Sequence, residues 1–201
     1  MTAVNDLKND DAAIGWMKKT DMDDIPTSDE LPTARMLTWV RNSAAYRLAR
    51  RMMTEKELAD AIRRKAKSKF EDITEAQVAA LAEAAIAFGR SMSALDDRAY
   101  AEIRAGSAAR GGKSKRAVAR KLSEKGVEAV IITEILAEQD DLRPAVVYAR
   151  KKAFGPFRRV PADEKQVNRE MASFARQGYG FDLIRRVLEM TRDEAEEVLA
   201  S

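Results

Sequence analysis

From Ala34 onward, apolar residues recur at three- and four-residue steps, the spacing of one face of an α-helix. Leu37, Val40, Ala44 and Leu48 form the first such row, which ends at Met52-Met53. Thr54 and Glu57 then make a T-x-x-E capping box, in which hydroxyl and carboxylate serve each other's backbone N–H groups. A second helix is predicted from there, with Leu58 and Ile62 facing inward. Lys65 to Phe70 reads as a basic break. Thr74 opens a third helix carrying Val78, Leu81, Ala85 and Phe88, closed by Gly89 as a C-cap. Leu95 leads into the next junction, where Asp96 is an N-cap and Asp97 sits in the positive first turn of a helix. Tyr100 and Ile103 follow one helical step apart. Gly111-Gly112 breaks that helix, and Ser114 caps another that carries Val118 and Leu122 and ends at Gly126. Ile131, Ile132 and Ile135 mark a helix over 127–138, and Pro144 suits the first turn of a short one. Val167, Met171 and Phe174 lie on one side of a helix over 165–177, stopped by Gly178. Phe181, Ile184 and Leu188 line the next helix, and Thr191 caps a last one. No stretch alternates in the manner of a half-buried strand, so the fold class is all-α.

The helix–break–helix junctions resemble one another. Ala49-Arg50 precedes Thr54, Leu58 and Ile62; Ala109-Arg110 precedes Ser114, Val118 and Leu122; Ala175-Arg176 precedes Gly180, Ile184 and Leu188. Apolar residues follow the small or hydroxylated position at the same offsets each time. This self-similarity predicts tandem three-helix repeats stacked into an elongated molecule with an extended surface. The expected divisions are 34–92, 93–143 and 144–201. Within the last of these, residues 154–163, holding Gly155, Pro156 and Pro161, read as a linker. Residues 1–33, polar, acidic and interrupted by Pro26 and Pro32, read as a mostly disordered tail.

Composition narrows the chemistry. The chain has neither cysteine nor histidine, which removes the usual nucleophile, acid/base group and metal ligands. An enzyme centre, a metal site and a cofactor are therefore not expected. No apolar run approaches the length of a membrane span, and the N-terminus lacks the form of a signal peptide, so a cytoplasmic location is expected. The net charge of +3 hides an asymmetry. Residues 1–30 sum to −5, leaving +8 on residues 31–201. A basic body points to an anionic partner, nucleic acid or an acidic protein surface.

The candidate surface is the basic stretch Arg110, Lys113, Lys115, Arg116, Arg120, Lys121 and Lys125, which falls within one helix and its approach. Residues 113, 116 and 120, with 121 beside them, share a face near a helix N-terminus, an arrangement suited to phosphate or carboxylates. A solvated helix face is the plain alternative. Gly111-Gly112-Lys113-Ser114 echoes the end of a phosphate-binding loop, but Ser107 stands where that motif needs glycine and a helix, not a strand, precedes it. Asp96-Asp97 and Asp140-Asp141 read as helix starts rather than metal pairs. Phe154, Phe157, Tyr179 and Phe181 read as turn packing rather than base-stacking platforms.

Several of these residues carry a resemblance to the RecX family. Tyr46-x-Leu48-Ala49-Arg50-Arg51 followed by Thr54-x-x-Glu57-Leu58 resembles the start of its first module. Leu95-Asp96-Asp97-x-x-Tyr100-Ala101 is similar to its L-D-D-x-x-[FY]-A signature. Gly112-x5-Val118-x3-Leu122-x2-Lys125-Gly126-Val127 resembles the segment after that signature, and Phe174-Ala175-Arg176-Gln177-Gly178-Tyr179 resembles the closing one. The likeness covers about residues 40–190. It departs at Lys67-Ser68-Lys69-Phe70, which lacks the family's glycine, and in the acidic tail. The resemblance implies nine or so helices in three tandem modules forming a curved molecule. It implies a non-catalytic regulator that lies in the groove of the RecA recombinase filament on single-stranded DNA; single- or double-stranded DNA is a further candidate partner, and nothing in the sequence demands more than a monomer. Inhibited ATP hydrolysis, strand exchange and coprotease activity would follow, tuning DNA repair and the SOS response. A helical protein acting directly on nucleic acid is the alternative.

Overall fold

A computed structural model of the chain describes residues 31–201, so the acidic tail lies almost wholly outside the described residues. Among these described residues ten α-helices follow in order: α1 (Ala34–Leu48), α2 (Glu55–Lys69), α3 (Glu75–Ser91), α4 (Asp97–Arg110), α5 (Lys115–Glu124), α6 (Ala129–Ala137), α7 (Leu142–Lys152), α8 (Glu164–Arg176), α9 (Phe181–Glu189) and α10 (Arg192–Ala200). A single 3-10 turn, Gly155–Phe157, separates α7 from α8. No strand occurs among the described residues.

Local chemistry starts most of these helices. Thr33, Thr54, Thr74, Asp96, Ser114, Asp163 and Thr191 each occupy an N-cap position, and each side chain accepts the N–H three residues on. Thr54, Thr74 and Thr191 complete full capping boxes with Glu57, Gln77 and Glu194.

The apolar faces close into three clusters rather than one core. Val40, Ala44, Leu58, Ile62, Leu81, Ala85 and Leu95 unite α1–α3. Tyr100, Ala105, Val118, Leu122, Val127 and Ile132 unite α4–α6. Tyr148, Phe174, Tyr179, Ile184 and Val187 centre the cluster around α7–α10. Each unit, of three helices in the first two and four in the third, buries its own stripe, which is why the chain folds as a tandem repeat.

Four local readings change. Lys65 to Lys69 is not a break: α2 runs through it because Ala66 is fully buried while the basic residues occupy the outer face. Gly89 lies inside α3 rather than closing it. A Cβ there would come within 3.1 Å of Leu95 Cβ and 3.2 Å of Leu48 Cδ1, so its smallness admits these neighbours. Ile103 is exposed, and Ala101 and Ala105 join Tyr100 in the core instead. Residues 154–163 do not form a simple linker. Phe157 is buried in the third cluster, and the Gly155 N–H donates to the buried carboxylate of Glu170 at 3.1 Å.

That carboxylate locks the third unit. Arg158 Nε and Nη2 grip it at 2.9 and 2.7 Å, and Gln166 adds a bond at 3.3 Å. Burial pushes the Glu170 pKa upward most strongly, yet these donors together outweigh it and hold the group below its ordinary range.

Candidate partner-binding site

Two junctions between units set the geometry of the basic surface, and they repeat the same contacts. At the first, the Thr54 hydroxyl accepts from Glu57 N–H within its own helix and donates to the carbonyl of Lys125, the C-cap of α5, at 2.6 Å. At the second, the Ser114 hydroxyl accepts from Ala117 N–H and donates to the carbonyl of Gln177, the C-cap of α8, at 2.5 Å. Each hydroxyl thus satisfies an unpaired N–H at one helix start and an unpaired carbonyl at another helix end. A second bond accompanies each. The Glu55 N–H donates to Asp97 Oδ1 at 3.0 Å, and the Lys115 N–H donates to Asp141 Oδ1 at 2.7 Å. Asp97 and Asp141 are therefore structural equivalents. Burial raises the pKa of both above the ordinary aspartate value, against the pull of the N–H each accepts.

The close approach demands glycine. Gly126 has φ of +86°, and a Cβ there would lie 2.5 Å from Lys56 Cβ. Gly178 has φ of +89°, and its Cβ would lie 2.9 Å from Ser114 Oγ. At Lys69-Phe70, where the resemblance implies a glycine, no such contact is made. Among the described residues no capping hydroxyl docks on the end of α2; Phe70 instead meets the Trp39 ring edge-on at 5.2 Å. These equivalences also correct the third copy of the sequence repeat. The Ala175-Arg176 junction ends α8, the counterpart of α5, and so falls one helix out of phase with the Ala49 and Ala109 junctions.

Docking in this way opens a groove of about 770 Å³ across all three units. Arg51 lines it from the first; Arg104, Lys113, Arg120, Lys121 and Lys125 from the second; and Arg176 from the third. Glu57 is its one acidic lining residue, and it is already engaged by Lys125 at 2.6 Å and Arg51 at 3.8 Å. Burial pushes the Glu57 carboxyl up, but the bond from Lys125 and the Thr54 N–H more than reverse this, so its pKa is lowered. Glu57 stays ionised and ties the groove wall together.

The structure sorts the seven expected basic residues. Lys113, Arg120, Lys121 and Lys125 reach the groove; Arg110, Lys115 and Arg116 do not line it. Arg116 instead packs beside Gly178 at the second junction. Arg120 and Lys121 share Glu124 at 3.9 and 3.4 Å, which partly neutralises them. Arg51, Arg104 and Arg176 are exposed groove residues that the single-helix reading passed over. The signal for two of them was present: Arg51 and Arg176 stand in the repeated junctions themselves. Of the aromatics, Phe154, Phe157 and Tyr179 pack in the third cluster, whereas Phe181 is exposed.

A second basic hollow of about 450 Å³ adjoins the groove and shares Arg51, Glu57 and Lys125 with it. Tyr46, Arg47, Arg50, Lys56 and Arg64 extend its wall. Among the described residues no group of carboxylates is placed to hold a metal ion, and no helix is long and apolar enough to cross a membrane.

Comparison with known proteins agrees with this architecture. Residues 96–136 match the family of the RecX second three-helix domain. A Regulatory protein RecX of Agrobacterium fabrum is 56% identical over 169 residues, spanning 84% of this chain and 92% of that one. A Regulatory protein RecX of Myxococcus xanthus is 32% identical over 159 residues, spanning 76% and 85%. The crystal structure of RecX from Lactobacillus salivarius superposes with a TM-score of 0.55 at 22% identity, covering 84% of this chain and 99% of that one, a likeness of fold. With three docked helical units, the L-D-D signature at Asp96-Asp97 and an identity of 56% across most of its length, this chain belongs to the RecX family.

Proposed function

We propose that this chain is a non-catalytic regulator that binds the RecA filament on single-stranded DNA and inhibits its ATPase, strand-exchange and coprotease activities. It acts as a cytoplasmic monomer of three modules, 34–92, 93–143 and 144–201, and so tunes recombinational repair and the SOS response. The observation that carries this reading is the groove: cations from all three units converge on one surface. Only the two docked junctions bring them together. A surface of this length suits a long polymeric partner better than a small ligand. Its charge steers it toward anionic surfaces such as a nucleoprotein filament.

The test is RecA ATPase on single-stranded DNA, with the full chain titrated in at physiological salt. Inhibition below one protein per RecA is the expected result and points to filament ends or propagated disassembly. ATPase unchanged at saturating protein overturns the reading.

The second reading is direct contact with nucleic acid. It is favoured by the exposed arginines of the groove and the neighbouring hollow, and it predicts binding to naked DNA that weakens steeply with salt.

A further inference from the structure

The adjoining hollow differs from the groove in one respect that charge alone does not explain. Its wall carries Tyr46, a large ring that is 64% exposed on the last turns of α1. The ring is positioned rather than free. The guanidinium of Arg50 lies 5.2 Å from its centroid, and Arg50 Nη1 donates to the phenol oxygen at 2.6 Å. The hollow is lined by Arg47, Arg50, Arg51, Lys56, Arg64 and Lys125 against Glu57, Asp60 and Glu124. Each of those acids is engaged by a cation: Glu57 by Lys125 and Arg51, Asp60 by Arg63, and Glu124 by Arg120 and Lys121. Arg47, Arg50 and Arg64 form no ion pair among the described residues, and Arg47 Nε is buried without an acceptor. The uncompensated charge of the hollow is therefore positive, and it surrounds the largely exposed Tyr46 ring.

We infer that this hollow is a single-strand nucleic-acid subsite, in which one unstacked base lies on the Tyr46 ring while Arg50 and Arg64 take the adjoining phosphates. The chemistry favours this ligand over an acidic peptide. A carboxylate chain would use the arginines and leave the ring exposed, whereas a nucleotide supplies a flat π-face and an anion a few ångströms apart. It also favours a single strand over a duplex, whose bases are stacked away from such a ring. The second unit has no copy of the platform, because Gly106 occupies the position equivalent to Tyr46, 60 residues on. The subsite rests on the second reading, contact with nucleic acid, and not on the RecA reading.

The test uses the full chain, with fluorescence anisotropy as the readout and two labelled probes. One is oligo(dT) of about 12 nucleotides; the other is an abasic strand of equal length and charge. Tyr46→Leu is expected to weaken oligo(dT) binding about tenfold, the loss of roughly one stacked base, and to leave abasic-strand binding within about twofold. Tyr46→Trp keeps a platform and is expected to hold oligo(dT) near the wild-type affinity. Circular dichroism of each variant keeps wild-type helicity, since the ring is on the surface. Equal weakening of both probes, or no effect on either, overturns the subsite while leaving nucleic-acid contact standing. Absence of oligo(dT) binding by the wild-type chain overturns both, and leaves RecA inhibition to be judged by its own assay.

Discussion

The two inter-unit junctions share a backbone design and differ in the side chains that surround it. Both dock a capping hydroxyl on a helix-end carbonyl, both add an aspartate on the next N–H, and both need a left-handed glycine. The first junction is ionic. Its third helical residue is Glu57, which completes a capping box and binds Lys125 across the interface. The second has no ion pair among the described residues. Its third helical residue is Ala117, and the position matching Lys125 is Gln177, which receives a bond from Lys113 at 3.2 Å. Close backbone approach and ammonium bonds to neutral oxygens take the place of an ion pair there: a Cβ on Gly112 would lie 3.0 Å from the Tyr148 nitrogen, and Lys151 Nζ donates to the Gly111 carbonyl at 2.8 Å. The invariant part of the repeat is thus the pairing of unsatisfied helix-end groups. The ion pairs are local additions to it.

The largest effect expected of any junction change is at the glycines. Gly126→Ala forces a left-handed alanine against Lys56 and should cost about 2–4 kcal/mol. Gly178→Ala forces a left-handed alanine against the Ser114 oxygen and the Arg116 side chain, and should cost about 1–3 kcal/mol. Urea unfolding measures both, and an unchanged midpoint for either would break the claim that the helix ends touch. Next come the hydroxyls. Thr54→Val and Ser114→Ala each remove a cap and leave a carbonyl without its donor, for a loss of about 1–3 kcal/mol apiece. Because they serve different junctions, the double variant should show the sum of the two losses to within about 0.5 kcal/mol.

Acid should separate the junctions more gently. Glu57 has a lowered folded pKa, so its contribution is present above the ordinary glutamate value and is lost as pH falls through the lowered one. Asp97 and Asp141 have raised folded pKa values, so their contributions are present below the ordinary aspartate value and fade as pH rises through the raised one. Both junctions carry such an aspartate, and only the first carries the glutamate. Hydrogen exchange at the start of α2 should therefore accelerate on acidification relative to the start of α5, once corrected for intrinsic rates. Parallel behaviour would remove the distinction between a junction with an ion pair and one without.

Helix starts were legible in the sequence because their chemistry is local. Thr54, Thr74, Asp96, Ser114 and Thr191 announce themselves through a cap residue and an apolar face, and each cap is found in place. Ends were less legible. Lys65 to Lys69 and Gly89 looked like stops because their continuing helix is decided by Ala66 and Leu95, contacts that a residue-by-residue reading does not contain. The candidate surface was half legible for the same reason. Periodicity groups Lys113, Arg120 and Lys121 along one helix and its approach, whereas the groove also takes Arg104 from α4 of the same unit, and docking between units is what adds Arg51 and Arg176. Asp96-Asp97 and Asp140-Asp141 carried a fainter clue: the doublet recurs, and its second member makes the same bond in both places.

The claim that the three-unit groove is the regulatory surface is tested most directly by RecA ATPase on single-stranded DNA with two matched variants. Arg104→Glu with Arg176→Glu reverses charge in the groove, while Arg110→Glu with Lys152→Glu makes the same charge change outside its lining. The account predicts that the groove variant needs at least about tenfold more protein for half-inhibition, and that the control inhibits like the wild-type chain. Equal inhibition by all three proteins would contradict it.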